Sequence, residues 1–291
     1  MFASQGKGAI EMMKQRICRG VVLAAWVGAG IHAARADDPW DHGLLAGWSL
    51  DGIHFQGAGL FEVAAGVPCL TEGPAGELVA TFQWFDPVAF DEMARRVSLD
   101  GGRTWSDAEP LVLSGAPGRF VNPVDPALVV LNDGRWRLYF TSAPAGSRSA
   151  DTYSAISSDG LNFQWEAGAR FQIDGEFLLD PAVAWFGGLW HLYLPRHMQG
   201  DGAFYATSSD GLNFERQDDV EVPGILFLGN PLVHGEDLVF YGGGPRGVAV
   251  LSSSDGSRWR EEASILAPVG DPAVIRSRDG VYLALATDLR R

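Results

Sequence analysis

The sequence predicts an all-β fold, a five-bladed β-propeller whose last blade is closed by strands from both chain ends. Two repeat series and the way the ends complement each other lead to this reading. The first series is a Ser-X-Asp-Gly motif with a Phe or Trp three or four residues after its first glycine, and this pattern occurs five times. It is S-L-D-G-I-H-F at Ser49, S-L-D-G-G-R-T-W at Ser98, S-S-D-G-L-N-F at Ser157 and again at Ser208, and S-S-D-G-S-R-W at Ser253. The aspartates Asp51, Asp100, Asp159, Asp210 and Asp255 are 49, 59, 51 and 45 residues apart, the period of a propeller blade. The second series alternates with the first: Val67-Pro68, Asp125-Pro126, Asp180-Pro181, Asn230-Pro231 and Asp271-Pro272.

Each X-Pro pair opens a short apolar run: Ala127–Leu131, Ala182–Phe186, Leu232–His234 and Ala273–Ile275. After a turn a second run follows, as at Arg137–Phe140, Leu189–Leu194, Leu238–Tyr241 and Tyr282–Ala286. A loop, a third alternating stretch such as Tyr153–Ile156 and the Ser-X-Asp-Gly motif complete the unit. Alternation ending in Asp-Gly reads as a strand entering a hairpin, with the Asp accepting from the turn's own backbone and Gly supplying positive φ. Each unit is therefore four antiparallel strands. After Asp271 only the first two strands of a unit remain, and the missing third strand and turn stand at Leu44–Phe55. Joining the two ends closes the ring and removes open sheet edges.

The N-terminus reads as an export signal. Lys14, Arg16 and Arg19 precede the apolar run from Gly20 to Ala33, and Ala34-Arg35-Ala36 fits a cleavage site. The expected division is residues 1–36 as signal peptide and 37–291 as one propeller domain, periplasmic or secreted. Cleavage would remove five basic residues and Glu11, taking the formal net charge from −14 to −18. That charge argues against nucleic acid or an anionic membrane as partner. It leaves neutral carbohydrate, or a cation such as calcium held in the channel, as ligands, with no other cofactor expected. Of the two cysteines only Cys69 lies beyond the signal, so no internal disulfide is expected. No Cys/His cluster has zinc spacing, and the expected state is a monomer.

Because the first strand of a blade is innermost, Asp125, Asp180, Asn230 and Asp271 should ring one mouth of the central channel. Loops between second and third strands should bring Trp84, Asp86, Asp91 and Glu92 of blade one, Arg148 and Asp151 of blade two, Arg196 and His197 of blade three and Arg246 of blade four to the same face. A carboxyl pair is what acid–base cleavage of a glycosidic bond requires, and arginines beside it can clamp a substrate or neutralise the ring. An Asp before Pro can equally do no more than fix where a strand begins. Trp136, Trp185, Trp190 and Trp259 are expected in blade-to-blade packing.

The pattern D-P-A-[LV], then D-G-x-[WY]-x-L-Y, then Y-[AS]-x-S-S-D-G-L-N-F resembles the five-bladed propellers of the arabinanase, levansucrase and invertase superfamily, with family 43 glycoside hydrolases as its best-known branch. The Ser-X-Asp-Gly motifs resemble the Asp-box of sialidases. The resemblance spans residues 40–291 and implies a glycoside hydrolase with a general-base Asp at the first blade's inner strand, an auxiliary Asp in the next blade and a general-acid Glu in the third. Here Val67 stands in the first slot. Counted instead from Asp125, Asp125 and Asp180 match base and auxiliary, while Asn230 stands where the acid is implied. Asp271 and Glu176 are the carboxyls left to complete a catalytic set. A sialidase would imply a sixth blade and an Arg-Ile-Pro motif, and neither is present. The expected function is an exported carbohydrate-active propeller of glycoside hydrolase type, or a non-catalytic glycan- or protein-binding one.

Overall fold

The computed structural model describes residues 39–85, 91–196 and 201–290; the proposed signal segment, His197 and Asp86 lie outside them. A turn of 3-10 helix at Pro39–Asp41 leads into β1 (Leu44–Ser49) and β2 (Gln56–Glu62). Blade one follows as β3 (Ala65–Glu72), β4 (Leu78–Trp84), β5 (Glu92–Ser98) and β6 (Glu109–Pro110). After β7 (Val112–Ser114), blade two is β8 (Val124–Val130), β9 (Trp136–Ser142), β10 (Asp151–Ser157) and β11 (Asn162–Trp165). Blade three is β12 (Ala182–Phe186), β13 (Leu189–Pro195), β14 (Ala203–Ser208) and β15 (Glu215–Arg216). Blade four is β16 (Pro231–His234), β17 (Asp237–Gly244), β18 (Gly247–Ser253) and β19 (Arg260–Leu266). Last come β20 (Val269–Arg276) and β21 (Tyr282–Asp288), which join β1 and β2 in one sheet ordered β2-β1-β21-β20.

The five inner strands close a circle, with β3 against β8 and β20, β12 against β8 and β16, and β16 against β20. The strand from the chain's start pairs with the one from its end from Leu44–Thr287 to Ser49–Tyr282. Two bonds continue this seam: Asp288 N donates to Gly43 O at 2.8 Å, and His42 Nδ1 donates to Asp288 O at 2.8 Å. Leu44 and Leu285 are fully buried there, packed with Leu78 and Phe82 of blade one. One strand departs from the predicted plan. β7 leaves the connector after blade one and adds a parallel fifth strand outside β11 of blade two.

The Ser-X-Asp-Gly motifs form five near-identical turns on the face opposite the starts of the inner strands. At Asp159, Oδ1 accepts from the backbone N–H of Leu161 and Asn162 at 2.9 and 2.8 Å, and Ser157 Oγ donates to it at 2.8 Å. The other four repeat this pattern with small variations. Donors aimed at a carboxylate favour its ionised form. The Thr104 hydroxyl and N–H bring Asp100 down to about 2, and chiefly the Arg258 N–H brings Asp255 to about 2. The backbone N–H groups of His54, Asn162 and Asn213 lead in holding Asp51, Asp159 and Asp210 lower still.

Neighbouring blades grip these turns. Tyr139, Tyr193 and Tyr241 donate their hydroxyls to the turn carbonyls of Gly211, Gly256 and Gly52 in the following blade at 2.7, 2.6 and 3.0 Å. Arg95 Nη1 reaches Asp159 O of blade two in the same way, at 3.0 Å. Gly211 is required twice over: its φ is +70°, and a Cβ there would stand 2.7 Å from the Tyr139 hydroxyl. The expected blade-to-blade packing holds for Trp136, Trp190 and Trp259, whereas Trp185 is 40% exposed.

Two outcomes follow from the clasp and the turns. Leu44→Ala at the seam should lower stability by about 2–5 kcal/mol in urea unfolding, as for other buried leucines, while the exposed Leu60→Ala should change it by less than about 0.5 kcal/mol. The five turn carboxyls bind protons less readily folded than unfolded, so unfolding takes up protons in acid. Their stabilisation should be complete above about pH 4 and fall away as the pH drops towards 2 and below. Urea midpoints measured from pH 6 to pH 2 should show this decline, and it should be shallower in an Asp159→Ala/Asp210→Ala variant.

Candidate functional site

The starts of the inner strands converge on one depression, lined by Val67 and Pro68, Asp125 and Pro126, Asp180 and Pro181, Gly229 and Asn230, and Asp271. The backbone explains why X-Pro recurs here. In blades one, two and five the pairing skips one residue at this point, between Gly66 and Cys69, Val124 and Ala127, and Gly270 and Ala273. The residue before the proline takes a left-handed conformation in four blades: φ is 47° at Val67, 58° at Asp125, 52° at Asp180 and 45° at Asp271. Asp tolerates this region better than most residues, and the proline after it has no N–H to lose from the ladder. In blade four the positive φ shifts to Gly229, at 135°, where a Cβ would meet the carbonyls of Tyr241 at 2.4 Å and Pro272 at 2.5 Å.

The side chains at this mouth are tied into the ring. Asp125, 9% exposed, accepts from the backbone N–H of Asp180 through Oδ2 at 3.2 Å, which fixes blade two against blade three. Asp271 Oδ2 accepts from Thr287 Oγ1 at 3.2 Å, within blade five. Asn230 is 8% exposed, and its Oδ1 has no hydrogen-bond partner among the described residues. In blade one the Cys69 thiol takes the Leu128 N–H at 3.3 Å, and burial pushes that thiol up. The depression holds about 10 Å³, room for about one water.

The other candidate residues stand around this centre, and none of them lines the depression. Glu176 lies half-buried on the segment entering blade three, where its carbonyl accepts from Ala150 N at 3.3 Å. Arg148 is exposed on the loop between β9 and β10. Arg196 follows β13 and faces Glu221 at 3.5 Å and Asp219 at 4.0 Å. Arg246, in the turn between β17 and β18, places Nη2 3.4 Å from Ser264 Oγ. Trp84 ends β4 and packs partly against the core shared by blades five and one. His191 of β13 is buried. Its Nε2 donates to Phe186 O at 3.1 Å, its Nδ1 accepts from Tyr205 at 2.8 Å, and burial holds the ring below its ordinary pKa. Among the described residues no group of three or more His, Cys, Asp or Glu is arranged to hold a metal ion.

Asp151, expected on this face beside Arg148, opens β10 with 7% exposure and accepts from Gln172 Nε2 at 3.0 Å and the Tyr153 hydroxyl at 3.4 Å. One further residue had no motif to mark it. Phe177, three residues before Asp180, is 51% exposed. An apolar residue just before an Asp-Pro was the only available hint of Phe177.

No family model matches the chain, and no curated protein matches it. Solved structures do. A thermostable family 43 glycoside hydrolase superposes with a TM-score of 0.58 at 12% identity, covering 77% of this chain and 88% of that one. A family 117 glycoside hydrolase of the marine bacterium Zobellia galactanivorans gives 0.56 at 14% identity, over 77% and 84% of the two chains. A family 32 β-fructofuranosidase of Bombyx mori gives 0.57 at 15% identity, over 77% of this chain and 59% of that one. At these identities the likeness is one of fold: the chain is a five-bladed β-propeller of the kind that carries these glycoside hydrolases.

Proposed function

We propose that the protein acts on glycans at the channel mouth, hydrolysing a glycosidic bond with Asp125 and Asp180 as the working carboxyl pair. The observation that carries this reading is the chemistry of the mouth. Asp125, Asp180 and Asp271 line it, and Asn230 adds a buried oxygen with no partner among the described residues. When ionised, such groups only accept hydrogen bonds, so a ligand rich in hydroxyl donors is the natural complement. An unsatisfied buried acceptor costs about 1–3 kcal/mol, which a sugar hydroxyl or a water would recover.

In the proposed step one carboxyl of the pair, protonated, gives its proton to the leaving glycosidic oxygen as the bond to the anomeric carbon breaks. The other, ionised, takes a proton from the water that attacks that carbon from the opposite side. The product has inverted configuration, and the two carboxyls have exchanged protonation states. Asp271 and Glu176 are the reserve carboxyls for the acid role, and Asn230 with the rim residues Arg148, Arg196, Arg246, His197 and Trp84 would orient the sugar. The signal-like segment at residues 1–36 supports action outside the cytoplasm, and fractionation of an expressing bacterium would test that.

Purified protein should turn over at least one member of a panel of aryl glycosides and of plant and bacterial polysaccharides. Asp125→Asn and Asp180→Asn should each lower kcat by about 100-fold or more. The product anomer, followed by NMR, should be inverted. Unchanged turnover in both variants would remove this site assignment, and absence of turnover on the whole panel would remove the hydrolytic reading.

A further inference from the structure

A larger cavity lies on the opposite face, where the inner hairpins and the Ser-X-Asp-Gly turns emerge. It is a groove of about 310 Å³ between blades two and three, against about 10 Å³ at the channel mouth. Its floor is a pair of tryptophans facing each other across the β12–β13 hairpin, Trp185 and Trp190. Their rings meet edge to face, with centroids 5.4 Å apart and planes at 61°. Trp190 is 8% exposed and anchored in the core, whereas Trp185 is 40% exposed. The buried ring therefore props the exposed one and limits its rotation. The hairpin tip beside it is Gly187-Gly188, where an added Cβ would meet nothing within 4 Å, so the approach is open.

The groove's rim is polar on the blade-two side. Arg135 is clamped to Asp133 through Nε at 2.9 Å and Nη2 at 2.7 Å, so a donor fork and a carboxylate are fixed side by side. Asn132 and Ser209 add an amide and a hydroxyl, each able to donate and accept. Arg137, behind them, is spent on Glu166 at 2.9 and 3.0 Å and serves as wall. A rigid indole face framed by donors and acceptors matches a pyranose ring, which has apolar C–H faces and a hydroxylated edge. The volume sits at the lower end for a small-ligand pocket.

We propose that this groove is a second carbohydrate-binding site, with Trp185 as stacking platform and the Asp133–Arg135 pair, Asn132 and Ser209 reading the hydroxyls. It rests on the reading that the protein meets glycans, but not on catalysis at the mouth. Because it opens on the other face, it would hold a polysaccharide chain while a different stretch of polymer is worked at the channel.

The test is retention of the full protein in native gels cast with soluble xylan, arabinan, levan or mannan, with dissociation constants from titration of tryptophan fluorescence. Wild type should be retained by at least one polymer. Trp185→Ala should weaken that binding by about tenfold, the size of a lost aromatic contact, while Trp185→Phe should recover most of it. Turnover of a small aryl glycoside should be the same in Trp185→Ala as in wild type. Polymer binding that depends on Trp185 in a protein without hydrolytic activity would leave this proposal standing and remove only the catalytic one. Equal binding by wild type and Trp185→Ala, or no retention of wild type by any of the polymers, would overturn it.

Discussion

The pairing of β1 with β21 makes the five inner strands a ring rather than an open stack. Six residue pairs join the strand that begins the described chain to the strand that ends it. Without that seam, blade five would be a two-stranded hairpin with an unpaired edge at β21, and isolated hairpins are marginal at best in water. Every other feature inherits its position from the closure. The inner strands point their starts at one axis only because blade five packs between blade four and blade one. The Asp125–Asp180 contact exists because two separate sheets are pressed together at that axis.

The same closure explains the strain at the mouth. Four inner-strand starts hold a non-glycine residue in the left-handed region, and one of them is Val67. A β-branched residue gains nothing from that conformation. Its presence shows that the bulge is demanded by the geometry of the inner strand and not by the chemistry of the side chain. Strain at Asp125, Asp180 and Asp271 is therefore no argument for catalysis by itself, although it clusters where function is proposed. What distinguishes these positions is the choice of Asp where Val is also accepted. Asp relieves part of the strain through its tolerance of the left-handed region, and it leaves a carboxyl facing the mouth.

The legible parts of the fold were those encoded over short distances. A Ser-X-Asp-Gly turn satisfies its own backbone within about six residues, so its spacing alone counted the blades. Asp-Pro marked the inner strands because both residues answer to a local backbone demand. The circular closure was legible by complement, as two strands were missing at one end and present at the other. β7 was not legible: three residues, Val112–Ser114, add to a sheet whose β11 partner lies 50 residues further on. Phe177 was obscure for a related reason, since burial and exposure on a loop face are decided by which neighbouring blade arrives there. Trp185 was read as packing because its sequence surroundings match those of its buried partner Trp190. Only the hairpin's position at the groove separates the two.

General acid catalysis needs a carboxyl that is protonated near neutral pH, and no glutamate is among the residues lining the depression. The two faces of this propeller use the same residue type differently. The five turn aspartates sit among backbone N–H groups that hold them ionised far into acid. The three mouth aspartates line a depression shared with Asn230, where Asp125 accepts from the Asp180 N–H and Asp271 from the Thr287 hydroxyl. One set closes its own turns, and the other borders an opening. In the proposed hydrolysis the acid that the resemblance assigns to a glutamate therefore falls to the Asp125–Asp180 pair, with Asp271, which lines the same mouth, as the reserve carboxyl.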